Sequence, residues 1–265
     1  MIAAKIAEVL ALISLFGYLI FKPSTLSLLY YSGIAFLIEF FMSKPGQYLI
    51  IVYHKVSDEP SKYSVSPEIF EKQIKFLKKN FRILKLDHAN NMHNLKGRKI
   101  VITFDDGYDN NYNNAFRIAK KYNVPIHIFP VSGRVNKKGY LTWKQIQGMQ
   151  KSGLVLFGNH TRTHPILSDL DAKSIKKDII GANTDLGEKI GSVKYFCYPF
   201  GDRFDSKTIR ILQDLKFDYA LTWIPGINDS SSDSLQLKRI SINDLSMQNK
   251  FKLKYPNLFF KLKRR

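Results

Sequence analysis

Residues 99–108 read KIVITFDDGY, an apolar run that ends in two adjacent aspartates, a glycine and a tyrosine. The first six residues predict a strand that is buried on both faces, which is typical of a parallel sheet. Asp105 and Asp106 follow this strand directly, and Gly107 turns the chain. Taken alone, the aspartates are also compatible with a helix N-cap and a turn. In a parallel α/β fold, however, chemistry lies at the carboxyl ends of strands, so this stretch predicts both a fold class and a place for a site.

Strands and helices alternate outward from this stretch in both directions. The predicted strands are short apolar runs over 48–53, 99–104, 124–129, 154–157, 193–198 and 219–223. The predicted helices begin at Ser66 and cover 110–122, 143–151, 172–189 and 206–215. This alternation predicts an α/β fold around a mainly parallel sheet, either open or closed into a barrel.

A pair of histidines predicts a metal site. His160 and His164 lie four residues apart, directly after the predicted strand at 154–157. Together with Asp106 they would supply three ligands and leave a fourth position open for water, as in a hydrolytic metal site. Adjacent carboxylates resist joint ionisation unless a cation neutralises one of them, so a metal on Asp106 would leave Asp105 free to act as a base.

A third segment, Tyr198-Pro199-Phe200-Gly201-Asp202, also follows a predicted strand. Proline, an aromatic residue and glycine in succession build a rigid turn, which can aim a backbone N–H at a substrate. In isolation an ordinary turn explains the same pattern.

The three segments together, in this order, resemble the motifs of the polysaccharide deacetylase family. Residues 103–107 match the family's TFDDG motif, residues 160–164 match its histidine pair, and residues 199–201 match its Pro-aromatic-Gly turn. The resemblance extends from Tyr48 to Arg239. It implies a distorted (β/α) barrel of about seven strands that removes N- or O-acetyl groups from sugars.

The resemblance also implies a role for each site residue. Asp105 would be the catalytic base, Asp106, His160 and His164 the metal ligands, and Phe200 the donor of a backbone N–H to the oxyanion. We expect a divalent metal in this set, with Zn²⁺ favoured; the ligands alone do not exclude iron, cobalt or nickel.

Within the family, the chain is most similar to the poly-N-acetylglucosamine de-N-acetylases. Residues 52–56 match their opening Tyr-His strand, and Tyr140–Trp143 before a helix is similar as well. In that branch the motif order is rearranged and a histidine on the first strand replaces a later one. His54 is therefore the candidate general acid, or else it only caps its strand, and Trp143 is a candidate substrate contact.

The chain also departs from the family pattern. The arginine that precedes the Pro-aromatic-Gly turn in many members is absent, and Cys197 lies in that segment. Cys197 is the sole cysteine, so an intrachain disulfide is excluded, and its apolar neighbours predict a small buried side chain.

Two apolar runs, Ile2–Phe21 and Thr25–Phe41, precede the α/β region, and each approaches the length of a membrane-spanning helix. A soluble extension and a signal peptide are the alternatives. We expect an apolar membrane anchor or hairpin over 1–44, the deacetylase barrel over 45–245 and a basic amphipathic tail over 246–265. Membrane association follows, with the side of the membrane left open.

The charge is strongly positive, with 41 basic and 22 acidic residues and a net charge of +19. Nine of the basic residues lie between Lys238 and Arg265, where Asp244 is the one acid. Such a segment suits an anionic membrane surface. The positive charge is the sole support for nucleic-acid binding, and it is not enough to predict a nucleic-acid partner.

The sequence therefore predicts a metal-dependent hydrolase acting on N-acetylated glycans or lipid-linked sugars. The alternatives are an O-acetyl esterase of the same fold and a non-enzymatic membrane protein that binds glycan or lipid.

Overall fold

A computed structural model describes residues 46–87, 95 and 97–242 of the chain. Strands and helices alternate along these residues, as the apolar pattern predicts. The strands are β1 (Tyr48–Tyr53), β2 (Lys55–Val56), β3 (Ser64–Val65), β4 (Arg82–Ile83), β5 (Lys99–Asp106), β6 (Ile126–Pro130), β7 (Val155–Phe157), β8 (Tyr195–Cys197), β9 (Tyr219–Leu221) and β10 (Ile240–Ser241). The α-helices are α1 (Pro67–Asn80), α2 (Arg117–Tyr122), α3 (Trp143–Lys151), α4 (Ala172–Ile190) and α5 (Ser206–Asp214).

The main sheet is parallel and has six strands. Its order is β10-β1-β5-β6-β7, and β4 pairs with the first residues of β5. β1 and β5 run in register over six residue pairs, from Tyr48 with Lys99 to Tyr53 with Phe104. Every residue of β1 and β5 is buried, because both faces of these strands are covered. The predicted α/β class with a parallel sheet is thus confirmed.

A second parallel ladder joins β8 and β9. Beyond this ladder, the backbone pairing of β8 and β9 among the described residues consists of isolated bridges, from Asn159 to Phe196 and from Leu221 to Leu237. The continuous ladders are therefore an open six-stranded sheet and a separate pair. The expected closed barrel of about seven strands is not confirmed.

Local sequence explains where the helices begin. Ser66 caps α1 by accepting a hydrogen bond from the backbone N–H of Ile69, and proline occupies the first helical position. Thr142 and Gln145 form a capping box at the start of α3. The buried face of α1 includes Phe70, whose ring packs edge-on against Tyr53 of β1 at 5.2 Å. Such contacts hold the helix against the sheet.

Some elements differ from the sequence prediction. The first turns of the helix expected over 110–122 are π-helical, from Asn111 to Phe116. The strand β10 was not predicted, because its residues were counted with the basic C-terminal stretch.

The predicted membrane anchor at 1–44 and the tail at 246–265 lie outside the described residues. Within the described ranges, no helix is both long enough and apolar enough to cross a bilayer.

Candidate active site at the carboxyl edge of the sheet

Asp105 and Asp106 are the last two residues of β5, and both are buried. Asp106 has a left-handed backbone with φ of 69°, and Gly107 follows with φ of 73°. A Cβ atom on Gly107 would lie 2.7 Å from the Cβ of Pro130, so this position accepts only glycine without a shift of β6. The turn gives the two carboxylates separate environments.

Asp106, His160 and His164 converge as the sequence predicts. The Oδ1 atom of Asp106 lies 3.6 Å from Nε2 of His160 and 3.3 Å from Nε2 of His164. One ligand atom from each residue falls within 4.8 Å of the other two. The three side chains can therefore face one cation.

Surrounding groups hold the two imidazoles in orientation. Nδ1 of His160 lies 2.7 Å from the backbone carbonyl of Cys197, so it donates there and leaves Nε2 as the lone-pair nitrogen facing Asp106. The His164 backbone N–H donates to the hydroxyl of Thr161 at 3.0 Å. Burial and then the neighbouring His160 lower the pKa of His164 to about 4. A neutral imidazole is the form that binds a metal.

Asp105, His160 and Cys197 also lie close enough to form a ligand set. The structure favours the other set for two reasons. Both oxygens of Asp105 accept hydrogen bonds from Arg239, and burial raises the pKa of the Cys197 thiol well above its ordinary value. A thiol binds a metal as its thiolate, so Cys197 is poorly suited as a ligand.

Arg239 is a functional residue that the sequence reasoning missed. Its side chain is 1% exposed, and Nη1 and Nη2 lie 2.7 and 2.8 Å from the two oxygens of Asp105. Burial raises the pKa of the Asp105 carboxyl, but the adjacent guanidinium more than offsets this, so the pKa lies well below its usual range. Asp105 is thereby kept ionised.

Counting Arg239 with the basic C-terminal stretch was wrong, because the residue is part of the core. The guanidinium reaches the carboxylate and also donates to the Cys197 sulfur at 3.1 Å. The arginine that contacts Asp105 therefore lies just before β10 in the sequence and not ahead of Pro199. Only Ile240-Ser241-Ile242 alternates between apolar and polar residues here, and three residues are too few to predict a strand.

His54 lies directly after β1, at the same edge as the aspartates. Its ring stacks on Tyr63 at 5.0 Å and lies 5.6 Å from the ring of Trp223. Burial lowers the pKa of His54, and the charges of Asp105 and Asp106 offset part of that decrease. The position suits a proton donor beside the predicted metal site.

The turn at Phe200 has a left-handed backbone. Phe200 has φ of 56°, and Gly201 has φ of 62°. Among the described residues no protein acceptor receives the Phe200 backbone N–H. The Phe200 ring is 45% exposed and packs against His164 with a centroid separation of 4.8 Å. The Phe200 ring therefore lies beside a predicted metal ligand.

Within the described part of the chain, Trp143 makes no hydrogen bond or ring contact with these site residues. It is the first residue of α3, and its backbone N–H donates to Oδ1 of Asn136 at 3.1 Å. Its role as a substrate contact stays a prediction. The aromatic side chains that border His54 are instead Tyr63 and Trp223, which the sequence reasoning did not single out.

The donor set fits a divalent metal. Two imidazole nitrogens and one carboxylate oxygen are typical ligands for zinc and related transition metals. His160 is fixed through its second nitrogen, as ligating histidines usually are. The residues present are thus those that would hold such an ion.

Comparison with known proteins gives the class. The family model described as polysaccharide deacetylase matches residues 93–220, which include the aspartate pair, the histidine pair and the turn at Phe200. Residues 93–220 therefore match a polysaccharide deacetylase domain, and relatives of the chain are carbohydrate deacetylases.

Individual relatives and solved structures show the same resemblance. The poly-beta-1,6-N-acetyl-D-glucosamine N-deacetylase of Staphylococcus aureus is 28% identical over 220 residues, 76% of this chain and 76% of the relative. The structure of IcaB from Ammonifex degensii has a TM-score of 0.73 at 26% identity, covering 79% of this chain and 97% of that one. The Streptococcus pyogenes deacetylase PplD shares the fold, with a TM-score of 0.72 at 24% identity over 79% of this chain and 99% of that one.

Proposed function

We propose that this chain is a metal-dependent hydrolase that removes acetyl groups from N-acetylated sugars. The observation that carries the proposal is the pair of adjacent carboxylates with opposite surroundings. Asp106 faces two histidine nitrogens, whereas Asp105 faces a guanidinium. One carboxylate is therefore suited to hold a cation and the other to accept a proton.

The first chemical step uses Asp105 as the base. A divalent metal held by Asp106, His160 and His164 would polarise the acetyl carbonyl and make an attacking water more acidic. Ionised Asp105 would accept a proton from that water through Oδ2, which keeps a second lone-pair direction beside its bond to Arg239. The backbone N–H of Phe200 would stabilise the negative charge that develops on the carbonyl oxygen.

The second step releases the amine. Protonated His54 would give its proton to the sugar nitrogen as the carbon–nitrogen bond breaks, which leaves acetate and a free amino sugar. The rings of Tyr63 and Trp223 pack against the imidazole of His54. Because the two steps use different residues, each can be tested by its own variant.

The surroundings of the site support a sugar substrate. Tyr63 is 38% exposed, and its ring lies 6.2 Å from that of Trp223. Exposed aromatic faces pack against the apolar faces of sugar rings while their polar edges remain hydrated. The relative from Staphylococcus aureus is named for an N-acetylglucosamine polymer, and we infer a substrate of that chemistry, either polymeric or lipid-linked.

We also propose that the chain works at a membrane surface. The support comes from sequence alone: the apolar runs Ile2–Phe21 and Thr25–Phe41, and the excess of basic residues after Lys238. This part of the proposal is independent of the chemistry and has its own test below.

The test of the chemistry is acetate release from N-acetylglucosamine oligomers by the purified, metal-supplemented chain. Asp105→Asn should retain the metal and lower turnover by about 10²–10⁴-fold, as expected for loss of a general base. His160→Ala and His164→Ala should each lower the metal content. Asp214→Asn, at the exposed end of α5, is the matched control and should behave as wild type. Full metal content in both histidine variants would refute the assignment of His160 and His164 as ligands. Near-normal activity of Asp105→Asn would exclude Asp105 as the general base.

A further inference from the structure

Two basic side chains lie beside the candidate site and rest on aromatic rings. Lys55 directly follows His54, and its Nζ atom lies 4.5 Å from the ring centroid of Tyr108. Arg134 ends the 3₁₀ turn Ser132–Arg134, with Nη1 3.3 Å from the Tyr140 hydroxyl. Both basic residues are half-buried.

The two tyrosines link these cations through a chain of ring contacts. Tyr108 and Tyr140 stack with a centroid separation of 5.2 Å and an interplanar angle of 20°, and their backbones form an antiparallel bridge. Lys55 contacts the first ring and Arg134 the second, at 5.6 Å from its centroid. We call Lys55, Tyr108, Tyr140 and Arg134 the cationic rim.

The cationic rim is attached to the metal-binding loops. Tyr108 follows Asp106 by two residues, and the backbone N–H of Leu141 donates to the carbonyl of Gly107 at 2.9 Å. On the other side, the backbone N–H of Ser132 donates to the carbonyl of Thr161 at 3.2 Å, next to His160. A group held by the rim would therefore lie alongside a group held at the site.

The rim carries charge that the protein does not neutralise. Within the described ranges, neither Lys55 nor Arg134 forms an ion pair with a carboxylate, whereas Lys121 pairs with Glu71 at 2.8 Å and Arg162 with Asp185 at 3.1 Å. Aromatic faces stabilise a cation without using up its hydrogen-bond donors. Two half-buried cations with spare donors favour an anionic ligand, and a guanidinium suits phosphate and carboxylate alike.

We propose that Lys55 and Arg134 form a subsite for an anionic group of the substrate, a phosphate or a carboxylate next to the acetylated sugar. The proposal rests on the deacetylase function proposed above, because that function places an acetylated sugar at Asp106 and its neighbours. It narrows the substrate class from neutral N-acetylated glycans to acidic ones.

Equilibrium binding tests this subsite separately from catalysis. The full-length Asp105→Asn chain, loaded with metal, would be titrated with three ligands: a trisaccharide of N-acetylglucosamine, the same sugar with a terminal phosphate, and the same sugar with a carboxylate at C6. We expect at least one acidic ligand to bind about tenfold more tightly than the neutral one, since two charged contacts are gained. The preference should weaken as salt is added. The phosphate and carboxylate ligands show which anion the rim prefers.

Variants locate the preference. Lys55→Gln and Arg134→Gln are introduced together into the Asp105→Asn chain. The affinities for the acidic and the neutral sugar ligands should then lie within about twofold of each other, since both charged contacts are lost. Lys176→Gln, an exposed lysine on α4, removes the same charge elsewhere and should keep the preference. Equal affinities for all three ligands, or a preference that survives the double variant, would overturn the proposal. Acetate release by the wild-type chain is measured in a separate experiment. If the wild-type chain releases no acetate but the Asp105→Asn chain still prefers the acidic ligand, the proposed deacetylase activity is contradicted and the anionic subsite is not.

Discussion

Arg239 and Asp105 form the buried ion pair on which the proposed chemistry depends. Burial alone would favour the protonated form of a carboxyl group, which is useless as a base. The bidentate guanidinium reverses that preference at 2.7 and 2.8 Å. A pair of this kind is costly to break from one side, because the remaining charge stays buried without a partner.

Replacing Arg239 should therefore change the pH dependence of activity. In Arg239→Gln the pKa of Asp105 should rise, because burial then acts without the offsetting charge. The base works in its ionised form, so the acidic limb of kcat/KM should move to higher pH, while activity at alkaline pH is affected less. The measurement is a pH–rate profile with metal content and thermal unfolding recorded in parallel.

Arg210→Gln is the matched control, since Arg210 is exposed on α5. Its profile should overlay that of the wild type. An unshifted acidic limb in a folded, metal-loaded Arg239→Gln chain would show that Arg239 does not set the ionisation of Asp105.

His54 can be tested through the leaving group. His54→Ala should lower turnover on an N-acetylated sugar by about 10²–10⁴-fold, because the amine then leaves without a proton donor. An aryl acetate releases a phenolate that needs no proton, so the defect on that substrate should be much smaller. The two substrates serve as controls for each other in a single preparation. Equal defects on both would place His54 outside the general-acid role, and loss of metal would make it a ligand.

At the scale of elements, the sequence predicted those strands whose burial is visible in their composition. β1 and β5 are strongly apolar because both of their faces are covered. The aspartate pair ends β5, and the histidine pair comes shortly after β7. The short strands β2, β3, β4 and β10 have two residues each, which is too few for any periodicity to emerge.

The same limit explains which site residues were missed. Arg239 and Trp223 act through contacts with residues distant in sequence, so no local pattern records their partners. A basic residue beside a basic tail is typical of a solvated surface, and only the three-dimensional pairing with Asp105 shows otherwise. Ligand spacing, by contrast, is local at 160–164 and could be predicted.

The turn that presents Phe200 depends on Gly201. A Cβ atom there would lie 2.0 Å from the Cβ of Trp223, and φ is already positive at 62°. Gly201→Ala should therefore displace the turn and Trp223 together, destabilise the fold by more than about 1 kcal/mol and reduce activity. Gly187→Ala is the control, because that glycine lies within α4 with open space around it and should raise stability by about 0.5–1 kcal/mol. Thermal unfolding and acetate release measure both effects, and a Gly201→Ala chain as stable and active as wild type would contradict the steric argument.

For the whole molecule, charge and apolar content act through different forces. The net charge of +19 favours binding to an anionic surface, and salt screens this attraction. Salt does not screen the burial of apolar helices in a bilayer. We expect the full-length chain to fractionate with membranes and to resist extraction by high salt. A chain that begins at Lys44 should bind more weakly and be released by salt.

Fractionation of cell lysates in low and high salt, with detergent as the positive extraction control, gives the measurement. Release of the full-length chain by salt alone would show that the apolar runs do not insert, and the proposed membrane anchor would be abandoned.

The pairing of Asp105 with Arg239 also bears on folding, because the two residues are 134 positions apart in sequence. Parallel strands linked across such distances raise the contact order and slow folding, since long loops must close before their contacts form. A chain emerging from the ribosome would display both aspartates and both histidines well before β10 is available. We therefore expect the metal ligands to assemble earlier than the active base, so that the nascent enzyme holds its ion before it can hydrolyse anything.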